Sequence, residues 1–168
     1  GPPMKFFALL VTLLAAGVLL VGNTAVQVLS RLDVHPELDL PPLLANYVAA
    51  VRADNPDGQL KRYPGSPLLS LRAMRAADRL RLFELHPADV KLLGQNLAGA
   101  APDAQKRVAI RQEDGFAGMK ALLPPPPRRG LVLIDPSYED KRDYLQVVTA
   151  LKEGLQRFPT GTYMLWYP

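Results

Sequence analysis

The chain contains no cysteine among its 168 residues, which excludes disulfide staples and thiolate metal sites and leaves the redox compartment unreadable. Histidine is nearly absent too: only His35 and His86 occur, so a zinc centre or a histidine-based hydrolytic site is not expected. No internal repeat is visible, and neither a phosphate-cradling P-loop nor a Ser-His-Asp arrangement can be found. What is present is a chain long enough for one domain, or part of one, with a sizeable core. A net charge of +4 favours an anionic partner such as RNA, although small basic excesses are common.

One long stretch has no charge at all. Met4-Lys5 opens FFALLVTLLAAGVLLVG, an apolar run from Phe6 to Gly22. Three readings stand side by side for residues 1–32: a secretory signal or short membrane anchor, a degraded first strand with its cofactor loop, and foreign or frameshifted sequence. No small-residue cleavage site follows clearly in Asn23-Thr24-Ala25-Val26.

Residues 33–168 read as globular protein. Pro41 and Pro42 open a helix on which Leu44, Tyr47, Val48 and Val51 recur at helical spacing. The loop Asp54-Asn55-Pro56-Asp57-Gly58 ends it, and a second helix is predicted from Leu68 to about Asp78. Leu80 to Leu85 reads as a strand with Glu84 near its carboxyl end, where nucleotide-binding α/β folds place an acid for ribose hydroxyls. Pro87 starts a helix with Val90, Leu92 and Leu93 predicted inward, and His86 before it is given a structural role. Val108 to Arg111 is a third strand, followed by Asp114-Gly115, which is either a simple turn or a place where backbone approaches a ligand closely.

A helix from Phe116 to Leu123 is stopped by Pro124 to Pro127. Arg128 and Arg129 then precede Leu131-Val132-Leu133-Ile134, a short apolar run with the pattern of a strand buried on both faces. Asp135-Pro136 closes that strand. In an open parallel sheet, ligands bind beyond the carboxyl ends of the strands, which makes Asp135, Pro136 and Tyr138 the first catalytic candidates. Tyr144, Val147, Val148, Leu151, Leu155 and Phe158 mark an amphipathic helix whose solvated side carries Lys152, Glu153, Gln156 and Arg157. Thr162 to Trp166 is a fifth strand. With strand order 3-2-1-4-5 it would be an edge, open to dimerisation.

The tetrad Asp135-Pro136-Ser137-Tyr138 resembles the Asp/Asn-Pro-Pro-Tyr/Phe motif of methyltransferases that use S-adenosylmethionine to methylate exocyclic amines of adenine or cytosine. YPGSP (residues 63–67), FELHP (83–87), EDGF (113–116), RRGLVLIDPSYE (128–139) and RFPTGTYMLWYP (157–168) occur in the order and spacing of one family. They look like the bacterial 23S rRNA adenine-N6 methyltransferase J family, over about residues 33–168.

The resemblance implies an α/β, Rossmann-like methyltransferase core with a mostly parallel sheet, incomplete at both termini because the family continues beyond the fifth strand. It implies S-adenosylmethionine as cofactor, with Ser66, Glu84, Asp114 and Gly115 contacting it. Asp135 and the Pro136 carbonyl would accept hydrogen bonds from the target amine, and Tyr138 would stack on an extruded adenine. Ser137 replaces the motif's second proline. The family's first strand ends in a glycine-rich cofactor loop, and alignment on FFALLVTLLAAG puts Val11, Leu13 and Leu14 where that loop has Asp, His and Ala; Thr12, Ala16 and Gly17 alone agree.

The partner implied is 23S rRNA, with no DNA and no metal, and Arg128 and Arg129 either touch RNA phosphate or stay solvated. A cytoplasmic location is expected, with export or membrane tethering through the first segment as the alternative. The competing functional reading is a truncated, inactive relative that binds RNA or a protein.

Overall fold

The computed structural model describes residues 7–12, 40–59, 61–62, 64–136, 138 and 140–167. The chain divides into two compact units, one of Gly1–Ala15 with Leu71–Pro168 and one of Ala16–Ser70.

The first unit is built on a five-stranded parallel sheet: β1 (Phe7–Thr12), β2 (Arg79–Phe83), β3 (Val108–Arg111), β4 (Gly130–Asp135) and β5 (Thr162–Leu165). Its order is β3-β2-β1-β4-β5, as expected from the sequence. The apolar N-terminal run thus contributes the central strand at Phe7–Thr12, paired with β2 on one side and β4 on the other. No helix among the described residues is long and apolar enough to cross a membrane. The aligned loop positions Leu13, Leu14, Ala16 and Gly17 lie outside the described residues, as does Ser137.

Within the second unit, α1 (Pro42–Ala53) buries Val48 and Val51 against Leu40 and Tyr47. Leu44, predicted on the same face, is exposed. Asn55 staples the loop that follows. Its Nδ2 donates to the carbonyls of Val51 (2.9 Å) and Arg62 (2.6 Å), and its Oδ1 accepts from the amides of Lys61 and Arg62 (both 2.8 Å). Helix α2 (Ser66–Ala73) begins at Ser66, and the Gly65 carbonyl accepts from the amides of Leu68 and Leu69. It stops at Ala73 rather than near Asp78, because the Asp78 carboxylate accepts from the Arg75 amide (2.9 Å) and closes a turn there.

Three further helices flank the sheet: α3 (Pro87–Ala100), α4 (Gly115–Leu122) and α5 (Arg142–Arg157). Phe83, Met119, Leu123, Val132, Ile134, Val147, Ala150 and Phe158 form one apolar core, so α4 and α5 share a layer. Gly118 lets α4 approach the fully buried Phe83 ring. The amphipathic reading of α5 needs rotation: Val147, Ala150, Gly154 and then Phe158 are buried, whereas Tyr144, Val148 and Leu155 are exposed. On α3 the buried residue is Leu97, and Leu92, expected inward, points to solvent. Strand β4 alternates between buried and half-buried positions instead of being sealed on both faces.

Candidate active site at the carboxyl edge of the sheet

All five strands run the same way, so the residues that follow them collect along one edge. Phe83 and Ile134 both pair with Val11, and Asp135 pairs with Thr12. Glu84 therefore stands level with Asp135, one on each side of the carboxyl end of β1. With neighbouring strands about 4.8 Å apart, their backbones are separated by about 10 Å. The next strand outward, β3, ends level with Phe83 and leads after two residues into Asp114. The topology places Glu84, Asp114 and Asp135 along one edge of the sheet.

Glu84 is 4% exposed. Strand β2 ends before it, short of the predicted Leu85, because its Oε1 accepts from the His86 amide (2.8 Å) and turns the chain, leaving Leu85 in solvent. The structural reading of His86 agrees with this geometry: its backbone fixes Glu84, and its Nδ1 lies 3.5 Å from Asp89 on α3. Asp114 caps α4, with Oδ1 accepting from the Phe116 amide (3.0 Å), and Gly115 is buried as the first helical residue. A carboxylate at a helix N-terminus is favoured by the unpaired amides there.

Asp135 is half-buried and Pro136 is buried. Burial pushes the Asp135 carboxyl above the ordinary aspartate value. Tyr138 has a left-handed backbone (φ 56°), a conformation unfavourable for a side chain with a Cβ and concentrated at functional turns. That turn sends its hydroxyl to donate to the Trp166 carbonyl (2.9 Å), while the Trp166 amide donates to the Ile134 carbonyl (2.9 Å). Burial raises the Tyr138 hydroxyl pKa first; Tyr144, Tyr167, Asp135 and Asp143 add to the shift.

Other expected site residues lie elsewhere. Arg128 and Arg129 precede Gly130 at the amino end of β4, six residues from Asp135 and so about 20 Å away along the strand. Ser66 opens α2 in the other unit.

Two features escaped sequence reasoning. Tyr138, Tyr144 and Tyr167 form a triangle of rings, with centroids 4.6, 5.8 and 6.0 Å apart. They are scattered in sequence, and no local pattern links them. The second feature is basic. The sheet register puts Arg79 and Arg81 on one face with Arg107 and Arg111. Arg79 bonds the carbonyls of Ala77 and Asp78, and Arg107 that of Arg75, so these two charges meet neutral partners among the described residues. The spacing Arg-x-Arg in one strand and Arg-x-x-x-Arg across the next is its mark in the sequence.

The family described as "Ribosomal RNA large subunit methyltransferase D, RlmJ" matches residues 25–168. "Ribosomal RNA large subunit methyltransferase J" of Escherichia coli (strain K12) is 48% identical over 130 residues, which are 77% of this chain and 45% of that protein. Its namesake from Haemophilus influenzae is 47% identical over 133 residues, 79% of this chain and 46% of that protein. The chain thus spans about half the length of the curated relatives it matches. A crystal structure of a DUF519-family protein from Legionella pneumophila str. Philadelphia 1 superposes with a TM-score of 0.76 at 31% identity, covering 99% of this chain and 61% of that one. Sequence and topology agree that the chain belongs to the RlmJ family of ribosomal RNA large subunit methyltransferases.

Proposed function

We propose that the carboxyl edge of the sheet is the site of S-adenosylmethionine-dependent methyl transfer to the N6 amine of an adenine in 23S rRNA. The observation that carries this reading is the placement of Glu84 and Asp135 on either side of the carboxyl end of β1, with Asp114 beyond β3. The similar proteins from two bacteria are, by name, methyltransferases of the large-subunit ribosomal RNA. Reaction on that RNA implies a cytoplasmic site of action.

The residues present suit this cofactor. Glu84 is a buried carboxylate already oriented by the His86 amide, suited to accept from a ribose diol. Asp114 offers an acceptor for an adenine amino group, and Gly115 lets the ring lie against backbone. When bound, S-adenosylmethionine supplies an electrophilic methyl group.

An exocyclic amine is a weak nucleophile because its lone pair is delocalised into the ring. Asp135 and the Pro136 carbonyl would accept hydrogen bonds from its two N–H groups, which fixes the nitrogen and returns electron density to it. With a methyl donor bound, these acceptors would hold the nitrogen in line with the methyl group, and the surplus proton of the methylated amine would pass to solvent. Positioning and a preorganised carboxylate carry the rate; no strong base is required. The arginine strip of β2 and β3, with Arg128 and Arg129 at the amino end of β4, suits phosphate contacts remote from the reacting base.

The test is methyl transfer from labelled cofactor to protein-free 23S rRNA. Asp135→Ala should lower turnover about 100-fold or more while leaving cofactor affinity nearly intact. Unchanged turnover would remove Asp135 from the chemistry.

A further inference from the structure

Four arginines line one face of the outer two strands, β2 and β3, on the margin of the sheet away from Asp135. Leu80 and Leu82 are fully buried and pair with Val108 and Ile110, which share a hollow with Gly94 and Leu97 of α3. Side chains alternate along a strand, so Arg79 and Arg81, with Arg107 and Arg111, go to the opposite face. From Arg107 to Arg111 the strip runs about 13 Å along the strand, and from β3 to β2 it is about 5 Å wide.

Its charges are held rather than cancelled. Arg79 donates to the carbonyls of Ala77 (3.3 Å) and Asp78 (3.2 Å), and Arg107 to that of Arg75 (2.9 Å). These neutral acceptors orient the guanidinium groups and leave their charge in place. Arg111 lies 3.8 Å from Glu113, but the two side chains are 46% and 53% exposed, so the pair is weak. Burial, and then the nearby charges of Arg79 and Arg111, lower the Arg81 guanidinium below the usual arginine value. Gathering like charges opposes folding, and a polyanion laid over them offsets that cost. All four residues are arginine, whose planar fork takes two phosphate oxygens at once; a merely solvated face needs no such fork.

We propose that Arg79, Arg81, Arg107 and Arg111 form an anchoring strip for the phosphate backbone of the substrate RNA, gripping nucleotides that flank the target without reading their bases. The proposal rests on the methyl-transfer reading and adds where that RNA is held away from the reacting base. Arg111 ends β3, and three strand intervals, about 14 Å, separate β3 from the strand of Asp135. A backbone lying along β3 therefore leads to the carboxyl edge. An anchor of this kind sets how tightly RNA binds and leaves the chemical step alone.

The test is fluorescence anisotropy of a labelled oligouridylate, which has no adenine for the reactive site, titrated with the full chain at several salt concentrations. Each phosphate neutralised on a single strand contributes about 0.7 to the salt slope, so replacing Arg79→Gln and Arg107→Gln together should lower the slope by about 1.4. Affinity should weaken about 3- to 25-fold, the range for two exposed ion pairs. Glu113→Gln disturbs none of the carbonyl contacts and removes the acid that competes for Arg111, so it should tighten binding about 2- to 5-fold. With 23S rRNA, the double variant should raise KM while turnover at saturating RNA holds.

A native salt slope in the double variant, or a Glu113→Gln chain that binds no tighter than native, would overturn the strip and leave the methyl-transfer reading standing. Oligoglutamate displacing oligouridylate at equal charge concentration would overturn it likewise, in favour of an acidic protein partner. A slope that depends on Arg79 and Arg107, in a chain without methyl transfer, would keep the strip as an RNA anchor and remove the enzymatic reading.

Discussion

Gly118 on α4 couples the packing of the core to the candidate site, and its replacement by alanine gives a sharp prediction. A methyl group there would lie 2.6 Å from Cδ1 of Phe83 and nearer still to Cε1 and Cζ, against an ordinary contact of 3.4–4 Å. Phe83 is fully buried among Met119, Leu123, Val132 and Ile134, so its ring has nowhere to retreat. Helix or ring must move by about 1 Å in a close-packed layer. Overpacking of this kind costs about 1–3 kcal/mol, and the severity of the clash puts it near the upper figure. Alanine's better helix propensity offsets about 1 kcal/mol.

The net loss is therefore about 2 kcal/mol, or about 4–8 °C in melting temperature for a chain of this size. Phe83 directly precedes Glu84, so cofactor affinity should fall with stability. Thermal unfolding by circular dichroism, paired with S-adenosylmethionine titration, reads both. Phe83→Leu should partly rescue Gly118→Ala, a non-additivity expected only of touching residues. A Gly118→Ala chain melting at or above the native temperature would refute the packing of α4 on β2.

The Asp135 carboxyl predicts a pH effect whose sign follows from its raised pKa. Between the unfolded value near 3.8 and the higher folded one, the native state binds more protons, so this group's contribution to stability falls as pH rises through that window. Asp135→Asn should be more stable than native at neutral pH and lose that advantage in acid; urea midpoints that differ equally at every pH would contradict the shift. Methyl transfer needs the ionised acceptor, so its acid limb should lie above that of an ordinary aspartate. Asn55→Ala removes four hydrogen bonds from a buried staple and should cost about 2–4 kcal/mol, read as an earlier chemical-unfolding transition. A loss below about 0.5 kcal/mol would show that water replaces the staple.

Much of the sheet was legible because strands such as Val108–Arg111 carry their signal in local composition, and their helical connections demand parallel pairing. Strand ends were less so. Glu84 ends β2 early through a side-chain bond to His86, and Asp78 ends α2 through one to Arg75; neither can be weighed by periodicity. Which side of α5 faces the core was misjudged for the same kind of reason. Val148 and Leu155 are as apolar as Val147, but the small Ala150 and Gly154 mark the face where the helix approaches the sheet closely. The positions of Glu84, Asp114 and Asp135 along the carboxyl edge could be read from their places after strands. Those of Tyr144 and Tyr167 could not, because the left-handed turn at Tyr138 that gathers them has no signature in sequence.

The central claim is that the carboxyl edge of this sheet holds a methyl donor through Glu84. Calorimetric titration of the full chain with S-adenosylmethionine tests it most directly, with Glu84→Gln as the paired variant. Saturable heat at submillimolar cofactor and an affinity about 10- to 100-fold weaker in Glu84→Gln are predicted, the loss expected of a charged hydrogen bond to a sugar hydroxyl. No heat at millimolar cofactor, or a Glu84→Gln chain that binds as tightly as the native one, would contradict it.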